Sequence, residues 1–422
     1  SLELDALLVR YIDAQLQQGS GSVLSLRPAQ LATLTGDDEA FRPLAAVPAK
    51  VRVLRTALLQ RFNSLLIKLL PLVHTGSARE SNSLGGRLCL LRGLIFFELK
   101  HGALHRALTA TATDADPPTV ALNRHRASKE RDDADERAHH SGLAQLCEQL
   151  GNVKPKALCR PDKGFRVNFV GEAADDHGGP YREAISHVCS ELQSDVLPLL
   201  VPSPNKTHGA SRGRDAWVPS PSALSPQQLE WLCFVGQLMG MSLRQKETQL
   251  SLSLPSVTWK QLATQPMDAA DLSSFDLLAR QSLVKLRDID KEGIDAETFG
   301  DVIFETFTTR LSDNTEVELR PGGASIPVTF DNRLDFCEMA LHARLQESQR
   351  QCDALLQGLS YMVPQRLLPL FSWAQLELLI CGSADVDVDL LSLALDKVVW
   401  VATAADLTWR AYRSVRLIAK YW

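Results

Sequence analysis

The chain has 422 residues, with 45 Lys and Arg against 50 Asp and Glu, a formal net charge of −5, and 45% hydrophobic residues. At about 150 residues per domain this is two or three domains, each able to bury a core without disulfide or metal staples, and the hydrophobic content excludes wholesale disorder. The near-neutral balance lacks the surplus of Lys and Arg that a dedicated nucleic-acid binder uses against phosphates, so no nucleic-acid partner is expected.

The first residues, SLELDALLVRYID, have no basic head, apolar run and small-residue cleavage site, so they read as an internal boundary of a longer polypeptide. Residues 1–110 read as a helical extension. Leu54, Leu58, Phe62, Leu65 and Leu69 recur at spacings of three and four and predict the buried face of a helix that Pro71 ends. The apolar stretch from Leu54 to Val73 is interrupted by Arg55, Gln60, Arg61, Asn63, Lys68 and Pro71, too often for a membrane span. No membrane association is expected. A second apolar run from Leu88 to Leu99 continues through Leu104 and Leu108.

Residues 111–159 read as a polar linker with a connecting helix. Within and just before them, Thr109 to His140 hold few large apolar residues and mixed charges, the composition of a linker or surface loop. Phe165, Val167 and Phe169 alternate with Arg166 and Asn168, which predicts a half-buried strand. Gly178-Gly179-Pro180 then turns the chain into a helix with Ile185, Val188, Cys189 and Leu192 on its apolar face. Ser203 to Pro226 are rich in Ser, Pro and Gly and read as an exposed loop.

EVEL and SIPVTF flank Pro321-Gly322-Gly323 and predict a hairpin, after which Asn332 caps a helix. A later helix, QLELLICG, should stop at Gly382. Strands and helices are segregated, so the fold class is α+β and predominantly helical.

Few constellations suggest chemistry. Asp385, Asp387 and Asp389 open like a calcium loop, but Leu390 and Asp396 stand where that loop needs Gly and Glu, so a solvated acidic turn is the better reading. His101 and His105 lie one helical turn apart with no evident third ligand. Asp175, Asp176 and His177 precede a helix whose N-terminus favours acids for structural reasons. Cys381 has only Leu378, Leu379, Ile380 and Gly382 around it, with no base to activate the thiol. The eight cysteines form no CxxC pair, which suits a reducing compartment. The cytoplasm is the expected location, with the nucleus as a further one. No metal or cofactor is expected.

Taken in order, FRVNFVGEAADDHGGPYREAISHVCSEL, FVGQLMGMSLRQ, LSLPSVTWKQL, LRPGGASIPVTFDNR, MVPQRLLPLFSWAQLELLICGSADVDVDLL and VRLIAKYW resemble the amino-terminal lobe of a HECT-type ubiquitin-protein ligase. The likeness covers about residues 160–422. The helical region before it resembles the segment preceding that lobe in very large HERC-like ligases. What this implies is the first lobe of a bilobal transferase with a small inserted α/β subdomain at about 254–330.

The implied partners are a ubiquitin-conjugating enzyme, ubiquitin and protein substrates. The implied reaction passes ubiquitin through a ligase cysteine thioester to a substrate lysine. The family's catalytic cysteine motif matches none of the eight cysteines, so no catalytic residue is assigned and the chain alone is expected to be inactive. Cys381 falls on a structural motif of the first lobe. In the insert, the LARQSLVKLRDID helix and an FGDVIFETF strand supply Leu283, Leu286, Phe304 and Phe307 as the implied conjugating-enzyme groove. The alternative is a non-catalytic scaffold or protein-interaction module that keeps the lobe architecture only.

Overall fold

A computed structural model describes residues 2–17, 22–25, 41–70, 73, 82–129, 133–171, 179–245 and 248–382. The chain divides into two compact units, Ser1–Cys381 and Gly382–Trp422, and of the second only Gly382 is described. The Asp175–His177 cluster, the Asp385, Asp387 and Asp389 turn and the closing VRLIAKYW therefore lie outside the described residues.

In chain order the principal elements are α1 (Leu2–Gln17), α2 (Ala49–Leu69), α3 (Leu84–Leu90), α4 (Phe97–Ala110), β1 (Thr119–Leu122), α5 (Gly142–Leu150), β2 (Arg166–Phe169), α6 (Gly179–Leu192), β3 (Leu200–Pro202), β4 (Trp217–Pro219), α7 (Pro226–Arg244), α8 (Ser256–Leu262), α9 (Leu277–Arg287), α10 (Phe299–Val302), β5 (Thr308–Arg310), β6 (Glu316–Glu318), α11 (Arg333–Leu345), α12 (Gln349–Met362) and α13 (Trp373–Cys381). Three two-stranded sheets accompany these helices among the described residues, so the fold is α+β and predominantly helical, as expected.

The extension has its own core, in which Leu7, Leu8 and Ile12 of α1 meet Leu59 of α2 and Phe96. The helix α2 exists as expected, but its buried face is a different one. Leu54, Leu58, Leu65 and Leu69 are exposed, and Arg52, Thr56, Leu59, Asn63 and Leu66 are buried instead. The polar members of that face are held by main-chain bonds. Asn63 donates through Nδ2 to Leu94 O (2.9 Å) and accepts from Phe96 N (3.1 Å), bonds that offset the cost of burying its amide. A count of leucines cannot detect this.

Asp13 accepts from Phe97 N (3.1 Å), placing a carboxylate at the N-terminus of α4. One turn on, Lys100 is almost fully buried and reaches Gln375 of α13 (2.9 Å). Burial pushes Asp13 up to about 6 and Lys100 down to about 7. A lowered ammonium pKa means that between pH 7 and about 10 the unfolded chain holds a proton that the folded chain has released, so stability from this group rises with pH. The parent chain should therefore gain stability relative to Lys100→Met between pH 7 and pH 9.5. Denaturant titrations of both at the two pH values test it, and a gap that stays constant would contradict the assignment.

The stretch 109–140, expected to be a linker or loop, contains β1. Val120 and Leu122 are buried, and β1 pairs in parallel with β2 from Thr119 opposite Arg166 to Leu122 opposite Phe169. Four residues of strand inside a long polar run are too few for composition to detect. In β2 the alternation holds as expected, with Phe165, Val167 and Phe169 buried. Helix α6 likewise buries Ile185, Val188, Cys189 and Leu192, and its Glu191 carboxylate accepts from Gly142 N (2.7 Å) and Leu143 N (3.1 Å) at the start of α5.

The expected exposed loop 203–226 is also structured. It holds β4, paired antiparallel with β3, and buries Ser203, Asn205 and Val218. Asn205 donates to Ser273 O (3.1 Å) and accepts from Leu277 N (2.7 Å), which accounts for a buried amide in a Ser- and Pro-rich segment.

The body is organised around the crossing of α7 and α12. There Gly236, Gly240 and Gly358 bring the two backbones close, and a Cβ at Gly358 would sit 1.7 Å from Cys233 O. At the end of α7 the buried Arg244 donates to Met362 O (2.7 Å) and Leu108 O (2.9 Å), tying the last turn of α4 to the C-terminus of α12. Helix α13 ends at Gly382, whose φ of +80° suits the expected glycine stop.

A separate small core gathers Leu286, Ile289, Phe299, Phe307, Val328 and Phe336. Its limits differ from the expected insert at both ends. Trp259 and Leu262 of α8 belong to the main core, whereas Phe336, Cys337 and Ala340 of α11 belong to the small one. The expected hairpin between EVEL and SIPVTF also differs. Glu316–Glu318 pairs with Thr308–Arg310, and Pro327 makes an isolated bridge to Thr306. The tight turn is at Asn314 (φ +67°), while Gly322 (φ +74°) leads into a single 3-10 turn. FGDVIFETF is not one strand: its start is the helical turn α10, and strand β5 begins only at Thr308.

Candidate functional site

The small core displays one aromatic side chain outward. Phe304 is 81% exposed, yet its backbone is fixed on both sides: Ile303 N donates to Phe299 O (3.0 Å) and Val328 N donates to Glu305 O (2.9 Å). Val302, two residues earlier, is 52% exposed. An exposed apolar pair whose backbone is already tied down can serve as an anchor for a partner at little ordering cost.

Of the four expected groove residues, Phe304 alone is a surface position. Phe307 is fully buried, edge-on to Phe336 (5.6 Å between ring centroids), with the Arg320 guanidinium 3.5 Å from its ring centre. Leu286 is buried in the same core, and Leu283 is half-buried where that core meets a second cluster around Phe275 and Val257. Phe307 is placed inward because its N–H bonds to Ile326 O and Gly323 O while Leu319 N bonds to its carbonyl. Gly323 permits this close approach, since a Cβ there would lie 2.3 Å from Phe307 O.

A signal the sequence reading passed over is charge. From Asp288 to Glu305 there are seven acidic residues and one base, Lys291. Arg287 engages Asp288 and holds its carboxyl down at about 2, and Arg333 pairs with Asp290 (3.4 Å). Glu292, Glu297, Asp301 and Glu305 are exposed and form no ion pair among the described residues. Phe304 and Val302 thus stand in an acidic surround that suits a basic partner.

No thiol is activated. All eight cysteines are unpaired and burial pushes every one of them up, Cys381 and Cys189 to about 12. Each is a neutral thiol near pH 7, which agrees with Cys381 as a structural residue. His101 stacks on Phe97 (5.8 Å between centroids), and no group of three potential metal ligands occurs among the described residues.

Residues 186–402 match the family described as HECT-domain (ubiquitin-transferase), a span that takes in α7, the whole small core and α12. The chain belongs to the HECT family. This HECT chain is 30% identical over 358 residues to the E3 ubiquitin-protein ligase HERC2 of Homo sapiens, covering 83% of the chain and 7% of that protein. It is 29% identical over 424 residues to the probable E3 ubiquitin-protein ligase HECTD4 of Homo sapiens, covering 93% of the chain and 10% of that protein. It is 31% identical over 227 residues to the E3 ubiquitin-protein ligase HECW2 of Mus musculus, covering 53% of the chain. The first two likenesses extend beyond the family match into the helices before it. The chain spans about a tenth of the length of these large relatives.

Proposed function

We propose that this HECT chain carries the docking lobe of a ubiquitin-protein ligase and binds a ubiquitin-charged conjugating enzyme through Phe304 and Val302. The observation that carries this reading is a rigidly held, 81% exposed phenylalanine on a subdomain with its own core, within an acidic surround. In the full reaction a ligase thiolate attacks the carbonyl of the conjugating enzyme's thioester, the enzyme's thiolate leaves, and a substrate lysine later accepts the ubiquitin. The eight neutral, largely buried thiols here supply no such nucleophile, so the chain by itself docks without forming the thioester. Its partners are then the conjugating enzyme, ubiquitin and protein substrates, in the cytoplasm.

Phe304→Ala should weaken binding of a cognate conjugating enzyme by about five- to a hundredfold, the range for truncating an exposed anchor. Its stability should change by less than about 0.5 kcal/mol. Calorimetric binding and thermal unfolding on the same variant decide the matter. Full-strength binding by Phe304→Asp, across a panel of conjugating enzymes, would remove Phe304 from the site.

A further inference from the structure

We propose that the outward face of α2 is a docking surface for an acidic amphipathic helix of a partner protein. Val51, Leu54, Leu58, Leu65 and Leu69 are 40%, 62%, 63%, 48% and 54% exposed. They cannot be spared to the core, because the opposite face, from Arg52 through Leu59 to Leu66, already fills that place. At 1.5 Å per residue the stripe runs for about 27 Å.

Its spacing selects the shape of the occupant. Val51, Leu54, Leu58 and Leu65 fall on the steps of three, four and seven that receive another helix, and Arg61 and Lys68 continue the same register. Charge selects its chemistry. Helix α2 has no acidic residue, and Lys50, Arg61 and Lys68 stand exposed on this face with no ion pair among the described residues. A helix with carboxylates alongside its apolar residues, opposite Lys50, Arg61 and Lys68, would meet all three.

The same charges disfavour a homodimer through this face. A second copy of the chain would set these cations against their own kind. Lys50, Arg61 and Lys68 lie along one edge of the stripe, as on an interfacial helix, so a membrane is the occupant that the vesicle arm of the test addresses.

The test uses the whole chain and two synthetic 21-residue helical peptides with the same leucine seam, one flanked by Glu and the other by Lys. The Glu peptide should bind in the micromolar range and the Lys peptide at least about tenfold more weakly. Leu58→Glu with Leu65→Glu should abolish binding without lowering the melting temperature, since both side chains are exposed. Arg61→Glu with Lys68→Glu should reverse the preference between the peptides. Equal affinity for both peptides, or binding that survives the paired leucine changes, would overturn the proposal. So would a concentration-dependent dimer in sedimentation, or pelleting with phosphatidylserine vesicles, that the leucine pair abolishes.

Discussion

Gly358→Ala should destabilise the protein by about 3 kcal/mol or more and lower its melting temperature by roughly 5 °C or more. The added Cβ would fall 1.7 Å from Cys233 O and 2.9 Å from Gln237 N, backbone atoms of α7 that cannot rotate away. The helices must separate, and Leu359, Met239 and Leu355, all buried at the crossing, lose their packing together. The propensity gain of alanine over glycine in a helix, at most about 1 kcal/mol, cannot offset this. Gly102→Ala in α4 isolates that gain, because its Cβ would meet nothing closer than Arg106 Nη1 at 3.7 Å. Calorimetric unfolding should show the first variant falling and the second level or slightly raised. Similar melting temperatures for both would mean that α7 and α12 do not approach this closely.

Phe307→Ala should cost about 3 to 5 kcal/mol, the range for deleting a buried phenylalanine, and the damage should be local. The ring is the centre of the small core, packed edge-on to Phe336 and covered by Arg320, whose Nε has no hydrogen-bond partner. Removing the ring leaves a cavity and takes away the π face that the guanidinium rests on. Hydrogen exchange should therefore quicken across 283–340 well before the main core around Trp259 and Leu359 is affected. Uniform acceleration in both cores would show that they open as one unit. Set beside Phe304→Ala, this separates the two phenylalanines three residues apart: one supports the subdomain and the other is available to a partner.

The strand at 166–169 and the helix after it were legible because strict alternation and a Gly-Pro start each admit one local structure. Cys381 was read as structural from its apolar neighbours, and burial pushes its thiol up as that reading requires. The eighteen residues from Asp288 to Glu305 carried a plain charge signal, seven acids against one base, that a search for apolar groove residues passed over.

Other features were not written in any local pattern. Helix α2 has two apolar faces, and a leucine count preferred the one that faces outward. Asn63 helps fix the choice: besides a bond to Leu59 O in its own helix, its amide donates to Leu94 O and accepts from Phe96 N, residues that another turn of chain brings alongside. Strand β1 was hidden because four residues in a polar run become a strand only when β2 offers its edge. Phe304 and Phe307 share a composition and a neighbourhood, and the hydrogen bonds of Phe307 to Gly323, Ile326 and Leu319 decide which points inward.

The amino-acid sequence by itself determined the fold class and the HECT resemblance, because these rest on periodicity, turn residues and motifs carried within short segments. Only the tertiary structure decided which apolar faces are covered, where the small core ends and which phenylalanine reaches solvent. Burial is a relation between distant segments, set by where the backbone groups of one find partners on another, and no window of sequence contains both sides of that relation.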